Sequence, residues 1–277
     1  LFLEEFTMQH SLNQVRMIAT DMDGTLLNSH DQMPKDFFNI LDQVHQLGIL
    51  FVIASGRPYP TLAIQFESCR DKLVFMAENG GCLVNGDKLV HQDILDTNAL
   101  TYLLGRCRQV PGVVPILSGF KKAYLFDQTS DDAREEIGRY YKKIQYIHNL
   151  SDIDDPVSKV TVCDFKGAEA NSFPALSDVK APFKATLAGY HWTDLSFADT
   201  NKGRGLAMLQ KEYGISPDET MIFGDYLNDY EMMKQGYFSY AMANAHPDLK
   251  AISNFETLSN DEDGVLYIIR QLIHSRQ

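Results

Sequence analysis

The sequence lacks an apolar run of the roughly 20 residues that a membrane-spanning helix needs. Its first fourteen residues contain no basic segment followed by an apolar stretch, so a secretory signal is not indicated. The chain has only four cysteines, none of which forms a C-x-x-C pair typical of zinc or redox sites. We therefore expect a cytoplasmic protein with reduced, buried thiols, and we assign no function to residues 1–14.

Basic residues are also scarce. Lysine and arginine total 25 against 37 acidic residues, which gives a formal net charge of -12. This balance disfavours binding to nucleic acid or to an anionic membrane, because both depend on clustered positive charge. An anionic substrate would also be repelled unless a bound cation attracted it, which is a first indication of a metal. None of the eight histidines has metal-site spacing such as H-E-x-x-H.

The chain has 277 residues, 44% of them hydrophobic, which is enough for one large domain or two modest ones. Its first part alternates apolar strands with an amphipathic helix. Strands are predicted at 15–19, 49–54 and 73–77, and a helix opens at Pro34 and stops at Gly48. Continuous apolar strands joined by helices are typical of a parallel sheet covered on both faces.

The pattern changes after Asn79-Gly80-Gly81, where a β-hairpin with an Asn-Gly turn is predicted, followed by mixed helices and strands. From Thr200 the alternation of helix and strand returns. Only one helix and one strand fit between Asp21 and Ser55, so an inserted domain must lie in the longer segment between Ser55 and Lys202. We predict an α/β fold with a Rossmann-like parallel-sheet core over 1–82 and 191–277 and an inserted α+β cap domain over 83–190.

Polar clusters follow three of the predicted core strands, and a lysine, Lys202, begins a later helix. The clusters are Asp21-Met22-Asp23-Gly24-Thr25, Ser55-Gly56-Arg57 and Gly224-Asp225 with Asn228-Asp229. Each cluster alone is compatible with ordinary turn chemistry. Because the carboxyl ends of parallel strands open onto the ligand crevice of such a sheet, we expect the three clusters to meet there.

With these residues the chain resembles the haloacid dehalogenase superfamily. The four motifs of that superfamily are matched in order by residues 21–27, by Ser55, by Lys202, and by Gly224-Asp225 with Asn228-Asp229. The chain is most similar to the Cof-type branch, which carries a C2 (type IIB) cap. Features of that branch are Ser-Gly-Arg-Pro at 55–58, Lys-Gly at 202–203, and later elements like those at 244–245 and 262–265.

The resemblance implies a Mg²⁺-dependent phosphatase, a phosphoric monoester hydrolase that acts on a small phosphorylated metabolite. Asp21 is expected to attack phosphorus and form an aspartyl-phosphate, while Asp23 acts as acid and then base. The expected metal residues are Asp21, Asp23, Asp225 and Asp229. Lys202 is counted with the catalytic residues, and the transferring phosphoryl group or substrate is assigned to Thr25, Ser55, Gly56, Arg57, Lys202 and Asn228.

Two alternatives remain open. A phosphomutase of the phosphomannomutase type would share the cap position and the paired aspartates, and a sugar-phosphate-binding regulator would keep the fold without turnover. In each case the partner is a small phosphate ester. We expect neither a nucleic acid nor a membrane as partner. The expected oligomeric state is a monomer or a homodimer. The preferred substrates are sugar phosphates or phosphorylated cofactors.

Overall fold

A computed structural model describes residues 10–277 of the chain; residues 1–9, on which most of the expectation for 1–14 falls, lie outside this part. In chain order the strands and helices are β1 (Met17–Asp21), α1 (Phe37–Gln46), β2 (Leu50–Ala54), α2 (Tyr59–Gln65), β3 (Leu73–Ala77), β4 (Cys82–Asn85), β5 (Lys88–Gln92), α3 (Thr97–Cys107), β6 (Val113–Gly119), β7 (Ala123–Phe126), α4 (Asp131–Tyr140), β8 (Ile144–Ile147), β9 (Val157–Asp164), α5 (Ser172–Leu176), β10 (Phe183–Gly189), β11 (Trp192–Phe197), α6 (Lys202–Tyr213), β12 (Thr220–Gly224), α7 (Tyr230–Met233), β13 (Phe238–Ala241), α8 (Pro247–Ile252), β14 (Phe255–Glu256) and α9 (Gly264–Ser275).

The chain divides into two compact units. The first unit contains the described residues up to Ala54 together with Leu206–Gln277, and the second unit is Ser55–Gly205. The second unit is thus an insertion between two parts of the first. The predicted domain limits at 82/83 and 190/191 stay a prediction.

The first unit is built on parallel strands in the order β14-β13-β12-β1-β2. All five residues of β1 and all five of β12 are buried, as expected for strands covered on both faces. Since β1 and β12 are parallel neighbours, the loops that follow them open at the same edge of the sheet.

Helix α1 shows how the sequence pattern produces this packing. Its apolar residues Phe37, Ile40, Leu41 and Val44 recur at helical spacing and are buried. Phe38, the sequence neighbour of Phe37, is 46% exposed, because a residue adjacent in sequence lies about 100° further around the helix. Gly48, with φ of +69°, follows the helix as predicted.

The second unit contains the antiparallel strands β3-β4-β5 and a six-stranded sheet in the order β10-β11-β9-β6-β7-β8. Helices α3 and α5 pack on one face of the six-stranded sheet through Leu103, Leu104 and Leu176. Helix α4 packs on the other face through Ala133 and Ile137. This arrangement agrees with the predicted α+β character of the inserted segment.

The predicted hairpin is present as β4 and β5, but its turn is one residue later than the prediction placed it. Asn85 is the last residue of β4 and pairs with Lys88, so that Gly86 and Asp87 form the turn. Gly86 has φ of +58°, which glycine adopts at little steric cost.

The four cysteines are free and buried, as the sequence predicted. Across residues 10–277, no helix combines the length and apolar character that crossing a membrane requires.

Candidate active site

Two aspartates at the end of β1 and on the turn that follows it differ in their exposure to solvent. Asp21 is the last residue of β1 and is 5% exposed, whereas Asp23 lies on the turn and is exposed. Backbone hydrogen bonds fold the turn back on itself, since Leu27 N–H donates to Met22 O at 2.8 Å. Gly24 has φ of +80°, and its carbonyl accepts a 2.8 Å hydrogen bond from Asn244 Nδ2.

The loop after β12 carries the second pair of aspartates. Asp225 follows the strand directly, and Asp229 is fully buried four residues later. One carboxylate oxygen of Asp229, Oδ2, accepts hydrogen bonds from the N–H groups of Asp225 (3.1 Å) and Tyr226 (3.3 Å). Asp229 therefore shapes the backbone that presents Asp225. Asn228 is exposed on the same loop.

The structure brings three of the four predicted metal residues together. Asp21, Asp225 and Asp229 each offer a carboxylate oxygen, and these atoms lie within 4.8 Å of one another. The carboxylate of Asp23 is not part of this group. Thr25 Oγ1 donates a 2.8 Å hydrogen bond to Asp225 Oδ1, which links the turn after β1 to the loop after β12.

A small hard cation fits this donor set. All three groups offer anionic oxygen, the ligand type that Mg²⁺ prefers. Like charges this close repel one another unless a cation neutralises them. The backbone at Gly24 also approaches closely, because a Cβ at this position would lie 2.4 Å from Asp225 Oδ2.

The predicted phosphate loop Ser55-Gly56-Arg57 belongs to the second unit. Ser55 is buried, its N–H donates to Met76 O at 2.9 Å, and its Oγ accepts from Arg57 N–H at 3.1 Å. The Arg57 guanidinium donates to Gln65 Oε1 at 3.2 Å. Gly56 lies against the side chain of Asn79, whose Nδ2 would be 3.1 Å from a Cβ at position 56.

Lys202 also belongs to the second unit and is fully buried at the start of α6. The helix start is fixed by Asn201, whose Oδ1 accepts the N–H of Arg204 at 2.8 Å, an N-cap bond. Gly80, with φ of +94°, packs against the backbone of Asn201, because a Cβ at position 80 would lie 2.4 Å from Asn201 O. That Ser55 and Lys202 meet the carboxylates of the first unit stays a prediction.

The sequence did not point to Asn260. Asn260 Nδ2 donates to Leu27 O at 2.9 Å, and its N–H donates to Asn244 Oδ1 at 3.1 Å. The two asparagines therefore hold the turn that carries Asp23 at Gly24 and at Leu27. Asn244 was indicated only as part of a late element of the family resemblance, and no sequence pattern indicated Asn260.

Residues 18–269 match the family model of the haloacid dehalogenase-like hydrolases. The chain belongs to this family. It is 30% identical over 264 residues to the 5-amino-6-(5-phospho-D-ribitylamino)uracil phosphatase YbjI of Escherichia coli, covering 94% of this chain and 96% of that protein. It is 28% identical over 285 residues to the phosphatase of the same name, YwtE, of Bacillus subtilis, covering 94% and 98%.

Solved structures agree with this assignment. A protein of Streptococcus mutans is 32% identical, with a TM-score of 0.82 over 94% of this chain and 99% of that one. A haloacid dehalogenase-like hydrolase of Bacteroides thetaiotaomicron, 23% identical, shares the fold with a TM-score of 0.83 over 93% and 99%. The predicted superfamily and the predicted α/β fold class are confirmed.

Proposed function

We propose that this chain hydrolyses the phosphate monoester of a small metabolite, with Mg²⁺ bound beside Asp21 and Asp21 as the nucleophile. Membership of the hydrolase family and relatives named phosphatases support the class, a phosphoric monoester hydrolase. One observation carries the rest: the carboxylate oxygens of Asp21, Asp225 and Asp229 lie within 4.8 Å of one another at the carboxyl ends of adjacent parallel strands.

Asp21, Asp225 and Asp229 would hold the Mg²⁺, and the family resemblance adds the backbone carbonyl of Asp23. When bound, the ion supplies the positive charge that neutralises both the carboxylates and the phosphoryl oxygens. Without it, each close carboxylate pair repels by up to about 4 kcal/mol at an effective dielectric constant of 20. A bound cation also reduces, at the site, the repulsion that a protein of charge -12 exerts on an anionic substrate.

The two aspartates of the turn after β1 would divide the chemistry. An Asp21 carboxylate oxygen forms a bond to phosphorus while the bond from phosphorus to the ester oxygen breaks. Asp23 gives its proton to the leaving alkoxide and then takes a proton from the water that hydrolyses the aspartyl-phosphate. The exposure of Asp23, beside buried Asp21, supports this role because its carboxyl group is open to water.

The remaining predicted residues would bind the oxygens of the transferring group or the substrate. Thr25, Ser55 and Lys202 are buried polar groups, and Lys202 would contribute positive charge to the developing negative charge. Gly56, Arg57 and Asn228 are assigned to the phosphate or the substrate by the family resemblance alone.

The names of the relatives bear on the substrate. Those of Escherichia coli and Bacillus subtilis are named for 5-amino-6-(5-phospho-D-ribitylamino)uracil, a phosphate ester at the end of a polyol chain. We extend this chemistry to the present chain: a phosphate on a terminal carbon of a sugar, a polyol or a sugar-like part of a cofactor. A cytoplasmic location and a monomer or homodimer complete the proposal.

The test is release of inorganic phosphate from a panel of such esters and from p-nitrophenyl phosphate, with and without Mg²⁺. Wild-type protein is expected to release phosphate only with the metal, and Asp21→Asn is expected to release none. Activity at the wild-type level in Asp21→Asn would reject the proposal. Phosphate retained on an isomerised sugar, with dependence on a bisphosphate activator, would favour a phosphomutase. Ligand binding without release across the panel would favour a regulator.

A further inference from the structure

A buried ion triplet lies inside the second unit. Lys159, on β9, has a side chain that is only 7% exposed. Its Nζ lies 2.6 Å from Glu78 Oε2 and 2.9 Å from Asp194 Oδ2, and it donates a longer hydrogen bond of 3.4 Å to Gly56 O. Thr161 Oγ1 donates to the other oxygen of Asp194 at 2.7 Å.

Burying these charges costs free energy, because they lose contact with water. Burial opposes the charge on Lys159, but the carboxylates of Asp194 and Glu78 outweigh it and hold the pKa of this lysine well above its ordinary value. Replacing a buried ion cluster by apolar side chains is often neutral or stabilising. The stability of the fold therefore does not explain why an ion cluster is present at this position. The contacts of Lys159 suggest a different reason.

Two of those contacts, with Gly56 O and with Glu78, lead to the loop Ser55-Gly56-Arg57, each of whose carbonyls accepts a hydrogen bond. Ser55 O accepts from Asn79 N–H at 2.9 Å, and Arg57 O accepts from Glu78 N–H at 3.1 Å. The third carbonyl, that of Gly56, accepts from Lys159. Lys159 therefore reaches the loop directly and through Glu78.

The backbone that supports the loop is strained. Glu78 and Asn79 both have φ of +53°, in the left-handed region, which asparagine tolerates but which costs a residue such as glutamate roughly 1–2 kcal/mol. Such conformations persist only where the surroundings fix them. For Glu78 one such group is Lys159, whose ammonium forms an ion pair with the buried carboxylate.

We propose that Lys159 is a positioning residue for the reaction, which holds the Ser55-Gly56-Arg57 loop in the conformation that aims Ser55 at the phosphoryl group. This inference rests on the proposed function, which assigns Ser55 to that group. Because Lys159 lies on β9 and Asp194 on β11, the six-stranded sheet thereby supports the loop.

The hold on the loop is measured without any activity, by hydrogen exchange of the full-length protein. In Lys159→Met, the amides of Arg57, Glu78 and Asn79 are expected to exchange at least about tenfold faster, since local opening exposes them. Lys122→Met, which removes another lysine–aspartate pair of the same unit, is the matched control and should leave these amides unchanged. Unchanged exchange in Lys159→Met would overturn the proposal.

The consequence for catalysis is measured by a double-mutant cycle on hydrolysis of p-nitrophenyl phosphate. Lys159→Met is expected to lower kcat/KM by about 30-fold through misplacement of Ser55, and Ser55→Ala by about 100-fold. If Lys159 acts through Ser55, the double variant should resemble Ser55→Ala alone; independent effects would multiply instead and would contradict the proposal.

Two further results separate the possible failures. If wild-type protein hydrolyses no phosphate ester, the proposed function fails, while the exchange experiment still decides whether Lys159 holds the loop. If Lys159→Met does not fold, Lys159→Met with Asp194→Asn restores the original net charge of the cluster and takes its place in both experiments. Normal exchange and full activity in that pair would overturn the proposal.

Discussion

Thr25 Oγ1 donates a 2.8 Å hydrogen bond to Asp225 Oδ1 across 200 residues of sequence. The adjacent Gly24 backbone also approaches Asp225 closely, since a Cβ at position 24 would lie 2.4 Å from Asp225 Oδ2. The position of the Asp225 carboxylate therefore depends on the turn after β1. This relationship makes the geometry of the proposed metal site sensitive to a single methyl group.

Gly24→Ala is expected to lower kcat/KM about 100-fold, because the added Cβ displaces the Asp225 carboxylate from the other two. The left-handed backbone also costs an alanine roughly 1–2 kcal/mol of folding stability. Gly48→Ala is the matched control: Gly48 has φ of +69° but open space around its Cβ position. It should lose similar stability in urea denaturation and keep full activity. A comparable loss of activity in both variants would contradict this reading of the site.

Asp225→Asn is expected to stabilise the metal-free protein and to abolish the effect of Mg²⁺ on its stability. The amide keeps an acceptor for Thr25 and removes one charge from the carboxylate group. Water at the partly exposed Asp225 screens most of the repulsion, so we expect a gain of about 1 kcal/mol. Wild-type protein should melt at a higher temperature as Mg²⁺ is added, by mass action.

The melting temperatures of both proteins, with EDTA and with increasing Mg²⁺, check this prediction. Asp71→Asn, which removes an exposed carboxylate of the second unit, is the control and should respond to Mg²⁺ as the wild type does. Destabilisation of metal-free Asp225→Asn, or an unchanged response of this variant to Mg²⁺, would count against a metal site at Asp225.

Asp93 is expected to make the protein sensitive to acid. Burial raises the pKa of Asp93, but hydrogen bonds from Arg204, Thr200 and His91 outweigh it, and the net pKa is lowered. The Arg204 guanidinium binds both carboxylate oxygens at 2.8 Å. Since the folded protein binds the Asp93 proton less readily than the unfolded chain, this stability is fully present above the ordinary carboxyl pKa of about 3.9 and is lost as pH falls through the lowered value.

Asp93→Asn should therefore be less stable than wild type by about 2 kcal/mol at pH 7, the typical worth of hydrogen bonds to a charged group. The difference should shrink as the pH is lowered below 4. Urea denaturation of both proteins between pH 7 and pH 3.5 measures it. A difference that stays constant over this range would show that the charge of Asp93 does not contribute.

Much of the fold could be predicted because its signals are local. The predicted strand at 73–77 coincides with β3, and α6 begins at Lys202, where the sequence predicted a helix start. These elements have continuous apolar residues or clear stops, and their environment in the fold agrees with their local preference. Asp21 and Asp225 could likewise be placed, because each comes at the carboxyl end of an apolar strand.

Strand β11 was missed for the opposite reason. Its sequence contains Thr193, Asp194 and Ser196, which in isolation favour a loop, yet all three are buried. Their partners lie far away in sequence: Thr193 binds Ser172, and Asp194 binds Lys159 and Thr161. A buried polar strand cannot be recognised without these partners, and the ion triplet of Lys159 escaped prediction with it. Strand β8 was hidden because it directly follows a charged helix and is half-exposed.

The most direct test of Asp21 as nucleophile is a pre-steady-state measurement with p-nitrophenyl phosphate and Mg²⁺. In Asp23→Asn, the good leaving group departs without an acid, but water lacks its base. We therefore predict a burst of one p-nitrophenolate per active site, followed by slow turnover. Adding Asp21→Asn should abolish the burst. A burst that persists without the Asp21 carboxylate would contradict a covalent aspartyl-phosphate at this residue, as would inorganic phosphate that appears in step with the first p-nitrophenolate.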